Sequence, residues 1–379
     1  MTKALALIVW MSVATVLAAT DRAADPLVFV GTYTTGQSKG IYALRFDDRT
    51  GTLSSIGLAA ETPGPSFLTA SRDGRQLFAV NETSTFKDDR YPEPTGSVTS
   101  FSVEGSTGRL RAINTESSRG ADPCHLALDA SGRFLAVANY TGGTFAILPV
   151  APDGGLGPAT AVLRNTGSGP DRSRQDGPHA HFVGFDGRFL LGADLGTDRV
   201  WTYRFDPATG TAVPHDPAFA SVEPGSGPRH VAFQPGGRFA FSVNELRSTV
   251  TAFTWDRVRG ALTALATYST LPDDFHASNS TAEIAVHPNG RFLYVSNRGH
   301  DSIAVFAIGA GGELRRIQVE STRGKTPRNF AIDRTGRWLI AANQETGTLA
   351  VFRINQTTGT LAATGPLARI DSPVCVLFT

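Results

Sequence analysis

From residue 27 onward the chain is built of short apolar runs separated by turns. In "GPRHVAFQPGGRFAFSVNE" (residues 227–245) two such runs flank a Gly-rich turn, and chemically reactive side chains stand only at the two ends. Runs of this length, rich in Phe, Val and Ala, predict strands, and no stretch carries the period of an amphipathic helix. The unit recurs as "PSFLTASRDGRQLFAVNE", "PCHLALDASGRFLAVANY", "PHAHFVGFDGRFLLGADL", "PRHVAFQPGGRFAFSVNE", "TAEIAVHPNGRFLYVSNR" and "PRNFAIDRTGRWLIAANQ", starting at Pro65, Pro123, Pro178, Pro228, Thr281 and Pro327. Counted from the first residue of each, the turn glycine falls at the same distance: Gly74, Gly132, Gly187, Gly237, Gly290 and Gly336.

After each copy come a third strand-like segment, such as "STVTAFTWD", and a fourth, such as "ALTALATYS". Four antiparallel strands in a repeat of about 50 residues are the signature of a β-propeller blade. The chain ends in "SPVCVLF", a first strand with nothing after it, and from residue 25 reads "DPLVFVGTY", then "GIYALRFD" and "GTLSSIGLA", a blade without its first strand. Joined, the two ends make a seventh blade and close the ring, which removes the open sheet edge. The expected fold is therefore all-β: one seven-bladed propeller occupying residues 25–379.

Composition changes this picture little. A formal net charge of +1 points to neither nucleic acid nor an acidic surface as partner. The start, "MTKALALIVWMSVATVLAATDRAADP", reads as a signal peptide over residues 1–24: Lys3 precedes an apolar run too short to span a bilayer, and small residues follow. The expected mature protein is periplasmic or secreted and monomeric, with no membrane contact after cleavage. Cys124 and Cys375, the only cysteines, fall in non-adjacent blades and are expected to be unpaired, buried small hydrophobes.

In a propeller the start of the first strand and the end of the second converge on one mouth of the central channel. Two registers at that mouth vary from blade to blade. One position after the start stand Ser66, Cys124, His179, Arg229, Ala282, Arg328 and Val374; next come Phe67, His125, Ala180, His230, Glu283, Asn329 and Cys375. At the end of the second strand Asn81, Asn139, Asp194, Asn244, Asn297 and Asn343 repeat, which predicts backbone-bonding structure. The following residue varies again: Glu82, Tyr140, Leu195, Glu245, Arg298, Gln344. A position that only builds the repeat should look alike in every blade, so the varying charges mark one asymmetric site. The turn arginines (Arg75, Arg133, Arg188, Arg238, Arg291, Arg337) repeat at the far end and are assigned to structure.

The candidate set is His125, His179, His181, Arg229, His230, Glu245, Glu283, Arg298 and Arg328. Imidazole and carboxylate can move protons, and guanidinium can hold an anion or a developing oxyanion, as cyclic-ester hydrolysis requires. The competing reading is a salt-bridge network that stiffens the channel. His179 and His181 form a His-x-His pair, but no further clustered ligands accompany it, and no metal or cofactor is expected. No nucleophile elbow is present, and Cys124 beside His125 would point to the opposite face of a strand.

"GPHAHFVGFDGRFLLGADLGTDRV", "GSGPRHVAFQPGGRFAFSVNEL" and "TPRNFAIDRTGRWLIAANQ" resemble the lactonase family of seven-bladed propellers, which includes propeller-type 6-phosphogluconolactonases and fungal carboxymuconate-lactonising enzymes. The resemblance covers essentially the whole mature chain. "GRFLYVSN" taken alone also resembles the repeats of non-catalytic surface-layer propellers. What the resemblance implies is a metal-independent lactone site of His, Arg and Glu. By motif this assigns catalysis to Arg229 ("GPRH"), Glu245 ("VNE") and His179 or His181 ("GPHAH"), with His125 ("PCH"), Arg298 ("SNR") and Arg328 ("TPRNF") as binding residues. His230 and Glu283 join that binding set from the registers alone. Hydrolysis of a sugar lactone is the leading expectation; lactone-forming isomerisation and ligand binding without turnover are the alternatives.

Overall fold

A computed structural model describes residues 26–379; the leader expected over residues 1–24 lies outside them. Seven four-stranded antiparallel sheets form the blades of a propeller, as the repeat predicts. Blade 1 joins the two ends of the chain: Pro373–Phe378 pairs antiparallel with Leu27–Thr32, with Val28 opposite Phe378 and Val30 opposite Val376. Blades 2 to 7 follow in sequence, their innermost strands being Leu68–Ala70, Pro123–Leu128, Ala180–Asp186, Pro228–Phe233, Ser280–Val286 and Pro327–Ile332.

Second and third strands alternate large apolar residues between their two faces, and both faces are buried because each blade is covered by its neighbours. Trp338, Ile340 and Leu349 of blade 7 pack with Val28, Leu44 and Phe46 of blade 1, and the Phe46 and Trp338 rings meet edge-to-face at 5.8 Å. Equivalent layers join blade 3 to blade 4 through Phe145, Leu190 and Tyr203, and blade 5 to blade 6 through Phe241, Leu293 and Phe306. Each fully buried large side chain contributes roughly 1.5–3 kcal/mol. Stability therefore rests on these layers, and the mouth can vary in sequence.

The repeated polar residues hold the blades in order. Each turn glycine takes a positive φ, between 61° at Gly187 and 73° at Gly290, which only glycine adopts freely. Arginines of the far-end turns reach the next blade: Arg133 donates to Pro207 O, Arg188 to Val258 O, and Arg337 to Asp48. Four of the five asparagines bond backbone as expected, Asn81 to Pro63 O, Asn139 to Ser118 O, Asn297 to Thr270 O and Asn343 to Thr322 O, tying their second strands to the crossover from the preceding blade, while Asn244 bonds the Thr249 and Thr251 hydroxyls of its own blade. Both cysteines are buried and free. Among the described residues no helix is long and apolar enough to cross a membrane.

Candidate active site

The side chains at the mouth are aimed by a repeated irregularity. Pairing between first and second strands slips between Pro123 and His125, Ala180 and Phe182, Pro228 and His230, and Pro327 and Asn329. In blade 6 it skips from Thr281 to Ile284, and in blade 1 the slip leaves out Val374. A bulge leaves its extra residue unpaired and re-aims the side chain. Two consecutive residues thus serve the channel where strict alternation would allow one. The bulged residues Cys124, His181, Arg229 and Arg328 form an upper tier, with His125, Phe182, His230 and Asn329 directly beneath.

This corrects the sequence register in blade 4. The last second-strand residue, Asp194, pairs with Ala180, whereas its counterpart Asn244 pairs with Pro228. Blade 4 turns between Asp186 and Phe189 through Gly187 and Arg188 alone, while blade 5 turns between Gln234 and Phe239. Counting back from the turn glycine therefore slides blade 4 by two residues. His181, not His179, stands level with Cys124 and Arg229, and Phe182, not Ala180, stands level with His125 and His230. His179 lies at the rim, its ring stacked on Tyr140 at 4.7 Å and its nitrogens facing Tyr140 O and Asp176.

The lower tier plugs the channel. The rings of Phe67, His125 and Phe182 lie in series, with centroids 4.1 and 4.6 Å apart, and His230 meets His125 at 5.0 Å. His230 Nδ1 is 3.0 Å from Glu283, which also accepts from the Ile284 N–H and the Asn329 amide. Burial pushes the imidazoles of His125 and His230 well below the usual histidine range and pushes the Glu283 carboxyl up. His125, His230 and Glu283, expected at the substrate, instead support the floor, and none of the three lines the cavity above them.

That cavity, about 470 Å³, opens at the mouth and is lined among others by His181, Glu245, Arg298 and Arg328. Glu245 is the hub of one wall. Its carboxylate accepts from Arg229 Nε at 3.0 Å, Arg298 Nη2 at 2.9 Å and Arg174 Nη2 at 2.7 Å. Burial alone would raise its pKa, but Arg298, Arg229 and Arg174 outweigh it and hold the carboxyl at about 2. Arg229 is itself fixed, donating from Nη1 to Ala282 O at 2.8 Å and to His230 Nε2 at 3.2 Å. Four guanidinium groups (Arg174, Arg229, Arg298, Arg328) meet two carboxylates (Glu82, Glu245) here, so the mouth is net cationic.

His181 supplies the imidazole. Its Nδ1 lies 3.6 Å from Cys124 Sγ, which is also 3.6 Å from Ala180 O, a thiol contact across blades that the alternation rule had not anticipated. Burial first, then Arg229 and His230, push His181 well below the usual histidine range, so the ring is neutral at pH 7. Burial also pushes the Cys124 thiol up, keeping it protonated. Arg328 lies over the Tyr33 ring, 5.2 Å from its centroid, and its guanidinium has no hydrogen-bond or ion-pair partner among the described residues.

Six lining residues lie outside the candidate set: Tyr33, Glu82, Cys124, Tyr140, Arg174 and Ser280. Glu82 and Tyr140 stand in the varying register after the asparagines, and Tyr33 holds the same place in blade 1 after Thr32. Arg174 has no register, since it comes from the 167–180 loop. That loop is pinned by the buried Gln175, whose amide donates to Leu195 O and Asp198, both at 2.8 Å.

A family model described as "Lactonase, 7-bladed beta-propeller" matches residues 27–378. The chain is 34% identical over 353 residues to a 6-phosphogluconolactonase of Bacillus subtilis, covering 92% of this chain and 97% of that protein. A 6-phosphogluconolactonase of Formosa agariphila is 33% identical over 341 residues, or 88% of this chain and 94% of that one. Among solved structures, a periplasmic gluconolactonase of Pseudomonas aeruginosa superposes with a TM-score of 0.85 at 35% identity, covering 93% of this chain and 98% of that one.

Proposed function

Since the chain belongs to the lactonase family of seven-bladed β-propellers and is a lactonase, we propose that it hydrolyses a sugar lactone of the 6-phosphogluconolactone type at the channel mouth, with His181 as base and no metal ion. The observation that carries this assignment is that a neutral imidazole and a partnerless guanidinium, His181 and Arg328, face one cavity.

Water attacks the lactone carbonyl while His181 takes a proton from it; the same proton then passes to the ring oxygen as the C–O bond breaks, giving the open hydroxy acid. Charge developing on the carbonyl oxygen meets the cationic wall of the cavity, to which Arg229 adds its charge from just beneath the lining. Because Glu245, Ala282 O and His230 already hold that guanidinium, it need not reorganise during reaction. Arg328 holds the anionic substituent of the substrate, with Arg174 at the lip. Glu245 has the charge of a base but not the vacancy: three arginines occupy it, and its role is to organise them. His179, at the rim, takes no part in proton transfer.

Export is part of the same reading. The apolar leader over residues 1–24 and the likeness to a periplasmic gluconolactonase support it, and the mature chain acts as a monomer because every blade is completed within one chain. The test is a pH-stat assay of the purified mature protein with EDTA present, on 6-phosphogluconolactone and glucono-δ-lactone. Turnover above the buffer rate is expected on at least one. No rate above buffer on either would overturn the assignment, and conversion of carboxymuconate to a lactone would replace it with isomerisation.

A further inference from the structure

Glu82 and Glu245 hold the same place in two blades, each following the repeated asparagine of the second strand: Asn81, where the pairing of Gln76–Phe86 shifts, and Asn244, where Phe239–Asn244 ends. Their surroundings are opposite. Glu245 is saturated by three guanidinium groups, whereas the only hydrogen-bond donor on Glu82 among the described residues is the Tyr33 hydroxyl, 3.0 Å from Oε1 and 3.2 Å from Oε2. That is one hydrogen shared across a group able to accept about four. Tyr33 is fixed in turn: its backbone N–H donates to Ser372 O at 3.1 Å and its ring lies under Arg328. Both residues line the cavity, so unused carboxylate acceptors face the space that the substrate enters.

We propose that Glu82, held by Tyr33, reads substrate hydroxyl groups: its two oxygens accept from adjacent hydroxyls of a polyhydroxylated lactone ring. The cavity is then divided by chemistry. Arginines offer only donors and meet the carbonyl and any anionic substituent; Glu82 offers only acceptors and meets hydroxyls. A lactone without hydroxyls satisfies the first wall and leaves a carboxylate facing it unpaired. Sites built to hydrogen-bond a hydroxyl reject analogues lacking it far more strongly than apolar pockets reject a missing methylene. This specificity rests on the lactonase reading of the same cavity.

The test is the ratio of kcat/KM on glucono-δ-lactone to that on δ-valerolactone, the same ring without hydroxyls. A hydrogen bond to a charged acceptor is worth about 1.5–3 kcal/mol, or roughly tenfold to a hundredfold. Glu82→Gln is expected to lower the ratio by that factor, Tyr33→Phe to lower it less, and Glu82→Asp to restore part of it. A ratio unmoved in Glu82→Gln, with both rates falling together or neither falling, overturns the proposal, because misfolding or a general catalytic role lowers both substrates alike. If the wild type hydrolyses neither of these lactones nor 6-phosphogluconolactone, the lactonase reading fails separately. The subsite is then judged by calorimetry with gluconate and pentanoate. A wild-type preference for gluconate that Glu82→Gln lowers at least tenfold supports it, and no such preference, or one Glu82→Gln leaves in place, overturns it.

Discussion

Glu245 and Glu82 are twins by position and opposites by wiring. Both follow a buried asparagine of a second strand, and the backbone N–H of each bonds the carbonyl of a glycine before the first strand, Gly227 O at 2.8 Å for Glu245 and Gly64 O at 2.9 Å for Glu82. The repeat therefore delivers a side chain to the mouth in the same way on both sides. What differs is the residue that the neighbouring element supplies: Arg229 on a bulge, Arg298 one blade on and Arg174 from a loop surround Glu245, while Tyr33 alone hydrogen-bonds Glu82 and the Arg328 charge reaches it only through space. The fold sets where a residue stands, and non-repeating neighbours set its chemistry. One glutamate organises charge; the other stays available.

The largest effect should fall on neither glutamate. If Glu245 only organises the arginines, His181→Asn removes the base and lowers kcat by about 10²–10⁴ with little change in KM, in steady-state assays on glucono-δ-lactone. Glu245→Gln comes next, because it loosens Arg229 and leaves buried positive charge uncompensated. It should lower kcat/KM by about 10²–10³ on every lactone, and unfolding experiments should show a loss of roughly 3–5 kcal/mol. Arg328→Gln is expected to weaken a phosphorylated lactone by about tenfold to a hundredfold in KM, and an unphosphorylated one less.

The smallest effect is on stability against pH. Glu245 has its folded pKa at about 2, below the ordinary glutamate value of 4.5, so its contribution is full above 4.5 and is lost as pH falls toward 2. His125, His181 and His230 are likewise depressed from 6.5, so each begins to favour unfolding as pH drops below that value. Glu283, pushed up by burial, works the other way, but it is one group against Glu245 and three histidines, so thermal midpoints should fall from pH 6.5 downward, and more steeply below 4.5. Midpoints that rose on acidification would contradict this wiring.

The ring itself was legible because its signal is written six times and completed by the two chain ends. Both registers that build the cavity were legible too, since varying polar residues stood out against a constant frame. Blade 4 misled because register was counted from the turn glycine, and only pairing reveals that its hairpin is two residues shorter; this put His179 where His181 stands. The bulges were invisible for a related reason: two consecutive residues on the channel side break the alternation on which a strand is read. That is why His125 and His230, adjacent in sequence to Cys124 and Arg229, were placed at the substrate when they lie one tier below. Arg174 gave no periodic signal, because its position depends on Gln175 anchoring a loop.

The most direct test of the central claim, that His181 carries the proton and Glu245 the arginines, is the pH dependence of kcat/KM on glucono-δ-lactone for wild type, His181→Asn and Glu245→Gln. Wild type should lose activity toward acid along a limb lying below the ordinary histidine range, where His181 becomes protonated. The same limb should persist at reduced height in Glu245→Gln and vanish from the residual activity of His181→Asn. A limb that survives in His181→Asn and disappears in Glu245→Gln would make Glu245 the base and contradict the account.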